Sequence, residues 1–436
     1  MSRQQPSLAE PTVTSESQVR KVAGACFIGT TLEWYDYFLY GTAAALIFNK
    51  QFFPTFDPVV GTLLSFLTFA VGFIARPVGA VFFGHLGDRR GRKIALIITV
   101  TLMGLSTGLI GLLPTYDTIG VAAPVILTIL RFAQGFSVGG EWAGAMLMAI
   151  EHAPPERRGW YAAVPQFGSP FGTLLSSGLF ALVGLLPHSA FASWGWRIPF
   201  LFAFVLLLVG LYLRARIEES PLFVKALEEE RTLRLPLAQV LAQGWGRVIA
   251  GVFAPLICVG GFYLLTTFMI NYTVNDLKLP TSLALTATLI AAAFEVLVLY
   301  VFGRLTDRLG AARVCIIGGI VSALLAFPVF WMVDTKNAAL VIVGITIGIG
   351  ALSIPYAPIG MLVSQMFSDE TRYSGVSLSY NLSGVVSGFV PAIAVGMFSL
   401  SHGLSWGPAL LLVLIALASI AGTLGARQLI ARRRYV

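Results

Sequence analysis

Apolar runs near 20 residues long, separated by short polar stretches, recur from one end of the chain to the other. A helix needs about 20 apolar residues to cross a bilayer, and in hydrocarbon a spanning helix satisfies its own backbone groups. The runs predict twelve helical spans, at 22–48, 59–83, 94–113, 124–150, 160–186, 198–213, 247–274, 282–302, 314–333, 339–363, 374–400 and 407–428. The longest polar stretch, 214–246, falls between the sixth and seventh and contains Glu228, Glu229, Glu230 and Arg231. The predicted organisation is a disordered cytoplasmic N-terminus (1–21), a six-helix bundle (22–213), a partly helical cytoplasmic linker (214–246), a second six-helix bundle (247–428) and a cytoplasmic tail (429–436).

The polar loops repeat. GHLGDRRGRK at 84–93 follows span 2, and GRLTDRLGAAR at 303–313 follows span 8. Gly84, Asp88, Arg89 and Gly91 correspond to Gly303, Asp307, Arg308 and Gly310, each 219 residues on. PERRGW at 155–160 is echoed by DETRYSG at 369–375, with Glu156 and Arg158 matching Glu370 and Arg372. A loop repeated at half-chain spacing implies two similar halves related by a pseudo-two-fold axis.

Composition agrees. Mean hydropathy is +0.82, and 11% of residues are charged, against about 25% in a soluble domain. The net charge of +8 reflects loop asymmetry rather than affinity for nucleic acid. The termini and the loops after spans 2, 4, 6, 8 and 10 hold 23 Lys and Arg; the opposite loops hold Lys50, Arg197, Lys278 and Lys336. The positive-inside rule then predicts both termini in the cytoplasm. Cys26, Cys258 and Cys315 lie in apolar runs with no metal or disulfide spacing, and are read as packing residues. No Walker pattern and no catalytic arrangement appears, which leaves ATP-driven transport and enzyme chemistry without residues to carry them.

The loop after span 2 resembles that of the major facilitator superfamily, G-x-L-(A/G)-D-R-x-G-R-(K/R), and Gly84, Leu86, Gly87, Asp88, Arg89, Gly91, Arg92 and Lys93 all match. The second copy departs, with Ala311 and Ala312 at the last two positions. EWYDYFLYG (33–41), GFIARPVGAVFFGHLGDRRGRK (72–93), RFAQGFSVGGEWAGA (131–145) and WGWRIPF (194–200) resemble the metabolite:proton symporter family, most of all its shikimate-carrier type. The resemblance implies a secondary transporter of the bacterial inner membrane, monomeric, driven by the proton gradient without a cofactor. It implies uptake of a small organic carboxylate such as shikimate or a related hydroxy, aromatic or dicarboxylic acid. Proline or betaine symport, export of a drug or metabolite, and sensing without flux stay open. Osmolyte carriers of the family end in a long coiled coil, whereas this sequence ends RRRYV without heptads. The resemblance also implies a cytoplasmic gate at Gly84, Asp88, Arg89, Gly91, Arg92, Glu156, Arg158, Asp307 and Arg308.

Six charges lie within the apolar runs: Glu33, Asp36, Arg76, Arg131, Glu141 and Glu295. Each costs about 2.5–3.5 kcal/mol at a helix centre, so they either bind the bundle together as ion pairs or serve substrate and proton. Glu33, Asp36 and Tyr40 share one face of span 1, and Arg131, Gln134 and Glu141 share one of span 4. Because the two spans run in opposite directions, the spacing predicts an Asp36–Arg131 pair and a Glu33–Arg76–Glu141 cluster. An arginine favours the charged form of a carboxylate beside it, so an anionic substrate competing for the arginine would load a proton onto the acid. An acid on span 1 opposite an arginine on span 4 also resembles the proton-coupled sugar carriers of the superfamily. Proton coupling is thus assigned to Asp36, Glu33 and Glu141. Substrate binding is assigned to Arg131, Arg76, Tyr40, Gln134, Trp142, Gln166, Tyr263, Asn271, Glu295, Tyr380 and Asn381. Glu295 either tunes substrate or proton stoichiometry or pairs with a neighbouring polar group. Gly135, Gly139, Gly140 and Gly144 predict close helix contact on span 4, and Gly168-Ser169-Pro170 predicts a hinge in span 5.

Overall fold

The computed structural model describes residues 16–90, 92–139, 141–151, 153–215, 244–368 and 371–433, and every element in them is helical. All twelve spans are present. Span 1 is Glu16–Ala43, continued by a π turn at Ala44–Phe48 and by Asn49–Phe52; span 2 is Pro58–Arg90 and span 3 Arg92–Leu112. Span 4 comes in two pieces, Ala122–Val138 and Glu141–Glu151, as does span 5, Arg158–Ala163 and Gly168–Val183; span 6 is Arg197–Ala215. Span 7 is Trp245–Asp276, span 8 Thr281–Leu309 and span 9 Ala311–Asp334. Span 10 is Ala338–Tyr356 with Ile359–Ser364, span 11 Arg372–Gly388 with Val390–Leu400, and span 12 Trp406–Arg433.

Nine of these, among the described residues, are by themselves long and apolar enough to cross a membrane. Spans 1, 3 and 5 complete the set: span 1 carries Glu33 and Asp36, span 3 has a short apolar stretch, and span 5 is broken. Among the described residues, helix already includes Glu16, inside the segment read as disordered, and Arg433, inside the segment read as a tail. No Gly or Pro interrupts 12–23 or 426–436, so the hydrogen-bond ladder continues past the apolar run. The linker read at 214–246 falls mostly outside the described residues.

The expected hinge at Gly168–Pro170 coincides with no break in the helix. A 3₁₀ turn at Pro165–Phe167 divides span 5, and the helix from Gly168 runs through Pro170. Pro170 is in the first turn, where a missing N–H costs nothing. Span 7 departs most from a plain helix, with π turns at Ile257–Gly261, Leu264–Phe268 and Tyr272–Asp276.

Within the first half, span 1 packs on span 5, span 2 on span 4 and span 3 on span 6; in the second, span 9 packs on spans 10 and 12 and span 8 on span 10. Spans 5 and 8, and spans 2 and 11, meet across the seam between halves. Spans 2 and 4 touch backbone to backbone. A Cβ on Gly135 would strike the Gly72 carbonyl, and one on Gly139 would strike the Arg76 carbonyl. Gly310, the last glycine aligned between the two loop copies, has φ +83° between spans 8 and 9, a left-handed turn that favours glycine. The three cysteines are free and buried.

Candidate functional site

The predicted Asp36–Arg131 pair forms deep within the first half. Arg131 is fully buried, and its Nη1 lies 3.7 Å from Asp36 Oδ2. Asp36 Oδ1 accepts from the Thr107 hydroxyl and from Gln134 Nε2 at 2.7 Å, while Gln134 Oε1 accepts from Arg131 Nη1 at 3.2 Å. The guanidinium lies over the Tyr40 ring at 4.3 Å and near Phe69, Tyr37 and Phe73. Close approach is possible because residue 72 has no side chain: a Cβ there would stand 2.6 Å from Arg131 Nε. Tyr40 donates to Thr68 at 2.8 Å. Arg131 and Gln134 are engaged with each other and with Asp36, enclosed by aromatic rings, while Arg131 Nη2 and Asp36 Oδ2 are buried without hydrogen-bond partners.

The second predicted pair faces the seam. Arg76 Nη2 donates to Glu33 Oε1 at 2.6 Å, both residues being buried. Glu141, half-buried on the lower piece of span 4, is near enough to Glu33 for their charges to repel. Tyr37 stacks on Phe73 at 5.2 Å and lies between the two arginines, 5.1 Å from Arg76 and 5.3 Å from Arg131. Tyr263 and Tyr380 of the second half neighbour Arg76 electrostatically, and Tyr356 neighbours Glu33. Around this pair, Glu33 Oε2, Arg76 Nε, Trp34 Nε1 and the hydroxyls of Tyr37, Tyr263, Tyr356 and Tyr380 are buried without hydrogen-bond partners. Buried polar groups are normally bonded, since leaving one unmade costs about 1–3 kcal/mol. Such a cluster at the seam has the character of a binding site rather than of a packed core.

Other predicted residues distribute around it. The Trp142 indole lies parallel to the Tyr380 ring across the seam and donates to Gln166 Oε1 at 3.1 Å; Gln166 in turn donates to the Tyr356 carbonyl at 3.4 Å. Asn381 donates to the Gly139 carbonyl in span 4. Glu295 is buried in span 8 beside Tyr356 and Ser169, and neither of its oxygens has a hydrogen-bond partner. Asn271 stands apart from this group: it bonds Asn275 and Asp276 at the end of span 7 opposite the basic loops. Sequence reasoning did not assign Tyr37, Thr107 or Ser169 to the site, and read Ser169 only as part of a hinge. Tyr37 is four residues after Glu33, a spacing that marks the same face; Thr107 and Ser169 carry no such signal.

Both ends of the seam are bridged. At the end bearing the basic loops, Asp307 of span 8 accepts from the backbone N–H groups of Gly159 at 2.7 Å and Trp160 at 3.3 Å, at the start of span 5. Arg304 lies over the Trp160 ring at 5.4 Å, and Arg372 stands 3.9 Å from Glu151. Glu156, Arg158 and Arg308 are exposed there. Gly91 and the side chains at Gly84, Asp88, Arg89 and Arg92 lie outside the described residues. At the opposite end, Asn275 donates to the Ala45 carbonyl in the π turn of span 1, at 3.0 Å.

The Major Facilitator Superfamily model matches residues 26–391. The chain belongs to this superfamily. An inner membrane metabolite transport protein of Escherichia coli is 37% identical over 392 residues, covering 88% of this chain and 89% of that one. The shikimate transporter of the same organism is 39% identical over 394 residues, covering 89% and 90%. The crystal structure of a D-xylose–proton symporter superposes with a TM-score of 0.74 at 19% identity, covering 92% of this chain and 97% of that one. This major facilitator protein is therefore a multi-pass membrane transporter of metabolites and not an enzyme. Four of the membrane-embedded charges, Glu33, Arg76, Asp36 and Arg131, pair as the helical phases predict, and several of the unpartnered groups lie where the two halves meet.

Proposed function

We propose that the protein imports a small organic carboxylate together with protons, by alternating access of the central seam. The observation that carries this reading is the Arg76–Glu33 pair, buried at the seam with one unpartnered hydrogen-bonding atom on each member. A substrate carboxylate arriving at Arg76 competes with Glu33. Once displaced, Glu33 is a buried carboxylate without its counter-charge, and binding a proton is its cheapest form. Substrate and proton then occupy the site together. The tyrosine hydroxyls from the second half supply donors and acceptors for hydroxyl groups on the far side of the acid. Asp36 and Arg131, enclosed one layer behind, position Tyr37 and Tyr40 and respond to the same charge. Rocking of one bundle against the other exposes the site to each side in turn. The protein acts as a monomer in the bacterial inner membrane with both termini in the cytoplasm, the end with the basic loops facing inward.

A second reading has an observation of its own. At the seam Trp34 meets Tyr356 edge to face, centroids 6.1 Å apart, and Tyr263 at a tilt, 6.5 Å away, and rings so grouped suit a quaternary ammonium such as betaine. Uptake into proteoliposomes under an imposed inward proton gradient separates the two. Shikimate, related hydroxy and aromatic acids, 2-oxoglutarate, citrate, proline and betaine are offered in turn, to the wild type and to Glu33→Gln. Gradient-driven accumulation of an acid, abolished in Glu33→Gln, supports the carboxylate reading. Accumulation of betaine alone transfers the case to the osmolyte reading, and no accumulation of any compound defeats both.

A further inference from the structure

Glu295 is an intramembrane carboxylate that the reading above leaves unused. It is fully buried, its two oxygens have no hydrogen-bond partner, and no ion pair reaches it among the described residues. The groups facing it are the Ser169 hydroxyl of span 5 and Tyr356 of span 10, with Glu33 beyond Tyr356. The first-half arginines near the seam are already engaged, Arg76 with Glu33 and Arg131 with Asp36. An ionised carboxylate left in such surroundings is strongly disfavoured, because neither water nor a cation compensates the lost hydration.

A second observation gives this group an access route. Ser169, Thr173 and Ser177 fall at four-residue intervals, which places them on one stripe of span 5. All three are buried, and none of their hydroxyls has a hydrogen-bond partner. Span 5 runs away from the basic end, so at about 1.5 Å per residue the stripe climbs roughly 12 Å from Ser169 toward the opposite face. Thr288, seven residues before Glu295 on span 8, is buried on the same helix face and also lies on that side. The Thr288 hydroxyl donates to the Ala284 carbonyl at 2.9 Å, whereas Ser169, Thr173 and Ser177 form a stack of unsatisfied hydroxyls that ends on an unsatisfied carboxyl, the composition of a proton wire.

We propose that Glu295 is a second proton-carrying site, loaded through the hydroxyl stripe of span 5, so that two protons enter with each monoanionic acid. This rests on the symport reading above. The charge balance makes it distinctive. A monoanion with one proton carries no net charge, whereas a monoanion with two carries +1. Inward movement of that charge is favoured by about 2.3 kcal/mol per 100 mV, a roughly 50-fold gradient from the membrane potential alone.

The test uses the full-length protein reconstituted in liposomes, with shikimate as the probe. At equal pH on both sides, an inside-negative potassium-diffusion potential drives accumulation by the wild type. Glu295→Gln accumulates shikimate only when a pH gradient is imposed, and Thr173→Val and Ser177→Ala slow the potential-driven component. Infrared difference spectra of the protein without substrate show the carbonyl stretch of a protonated carboxyl at neutral pH, and Glu295→Gln removes it. Wild-type uptake driven by a pH gradient but indifferent to potential overturns the inference and leaves the symport reading intact. A carboxyl band unchanged in Glu295→Gln also overturns it. Absence of any proton-driven uptake defeats the symport reading instead, and the infrared band alone then decides whether Glu295 holds a proton.

Discussion

Trp142 and Tyr380 lie face to face across the seam, ring centroids 3.5 Å apart and planes within 7°. One ring belongs to span 4 and the other to span 11, so the pair holds the halves together at the level of the site. The two residues separate in their consequences. Trp142→Ala removes the stack and the hydrogen bond to Gln166, and is expected to lower thermal stability in detergent by about 3–5 kcal/mol. Tyr380→Phe keeps the ring and removes a hydroxyl that bonds nothing in the protein. It is expected to leave stability within about 0.5 kcal/mol while weakening uptake. Equal loss of stability in both variants would mean the hydroxyl is part of the core.

The Arg76–Glu33 pair predicts a non-additive series. Removing one partner of a buried ion pair costs about 3–5 kcal/mol, because the other is left uncompensated. Arg76→Gln is therefore expected to be markedly destabilised, and Arg76→Gln/Glu33→Gln to recover most of the loss. Thermal unfolding of the single and double variants checks this. A double variant no more stable than Arg76→Gln would show that the two side chains do not act as a pair.

At the basic end, Asp307 caps the start of span 5 from the other half. Hydrogen bonds to a charged acceptor contribute about 1.5–3 kcal/mol, so Asp307→Ala is expected to open this end. Gly159→Val is expected to do the same by contact, since even a Cβ would stand 2.6 Å from the Asp307 carboxylate oxygen. Asp307→Asn keeps one acceptor oxygen and gives a smaller effect. Labelling of Ala163→Cys, buried against Gly303, by a membrane-impermeant maleimide from the basic face reads out the opening. Equal labelling rates with and without Asp307→Ala would remove Asp307 from the closure.

How much of this was legible in the sequence is clearest at the charges. Helical phase and the opposite directions of spans 1 and 4 place Asp36 with Arg131 and Glu33 with Arg76, and those partners meet. What the same reasoning missed is depth: it treated Arg131 as open to substrate, whereas Phe69, Phe73, Tyr37 and Tyr40 enclose it. Aromatic residues in an apolar run do not announce which way they face. Asn271 is set apart by its position along the span: it lies eight residues beyond Tyr263, about 12 Å further toward the end opposite the basic loops, where it bonds Asn275 and Asp276. Span 4 shows the same limit: its residue pattern does not announce that Asn381 of span 11 reaches the Gly139 carbonyl.

Glycine substitutions test the packing directly. Gly135→Ala drives a methyl group into the Gly72 carbonyl and is expected to cost about 1–3 kcal/mol through overpacking, with loss of uptake as Arg131 is displaced. Gly396→Ala, in span 11, meets nothing within 4 Å and is expected to be neutral or to gain up to about 1 kcal/mol from helix propensity. Thermal unfolding of both variants in the same detergent makes the comparison, and equal effects would refute the backbone contact between spans 2 and 4.

The π turns of spans 1 and 7 meet at the end of the seam opposite the basic loops, where Asn275 donates to the Ala45 carbonyl. A π turn holds one residue more than the α turn it replaces, so these two helices store slack. The surplus can be drawn straight or wound back while the rest of each helix keeps its register against its neighbours. The bundle thus has length in reserve where its two halves must part, and amides within 257–276 should exchange with solvent ahead of those in the unbroken span 9.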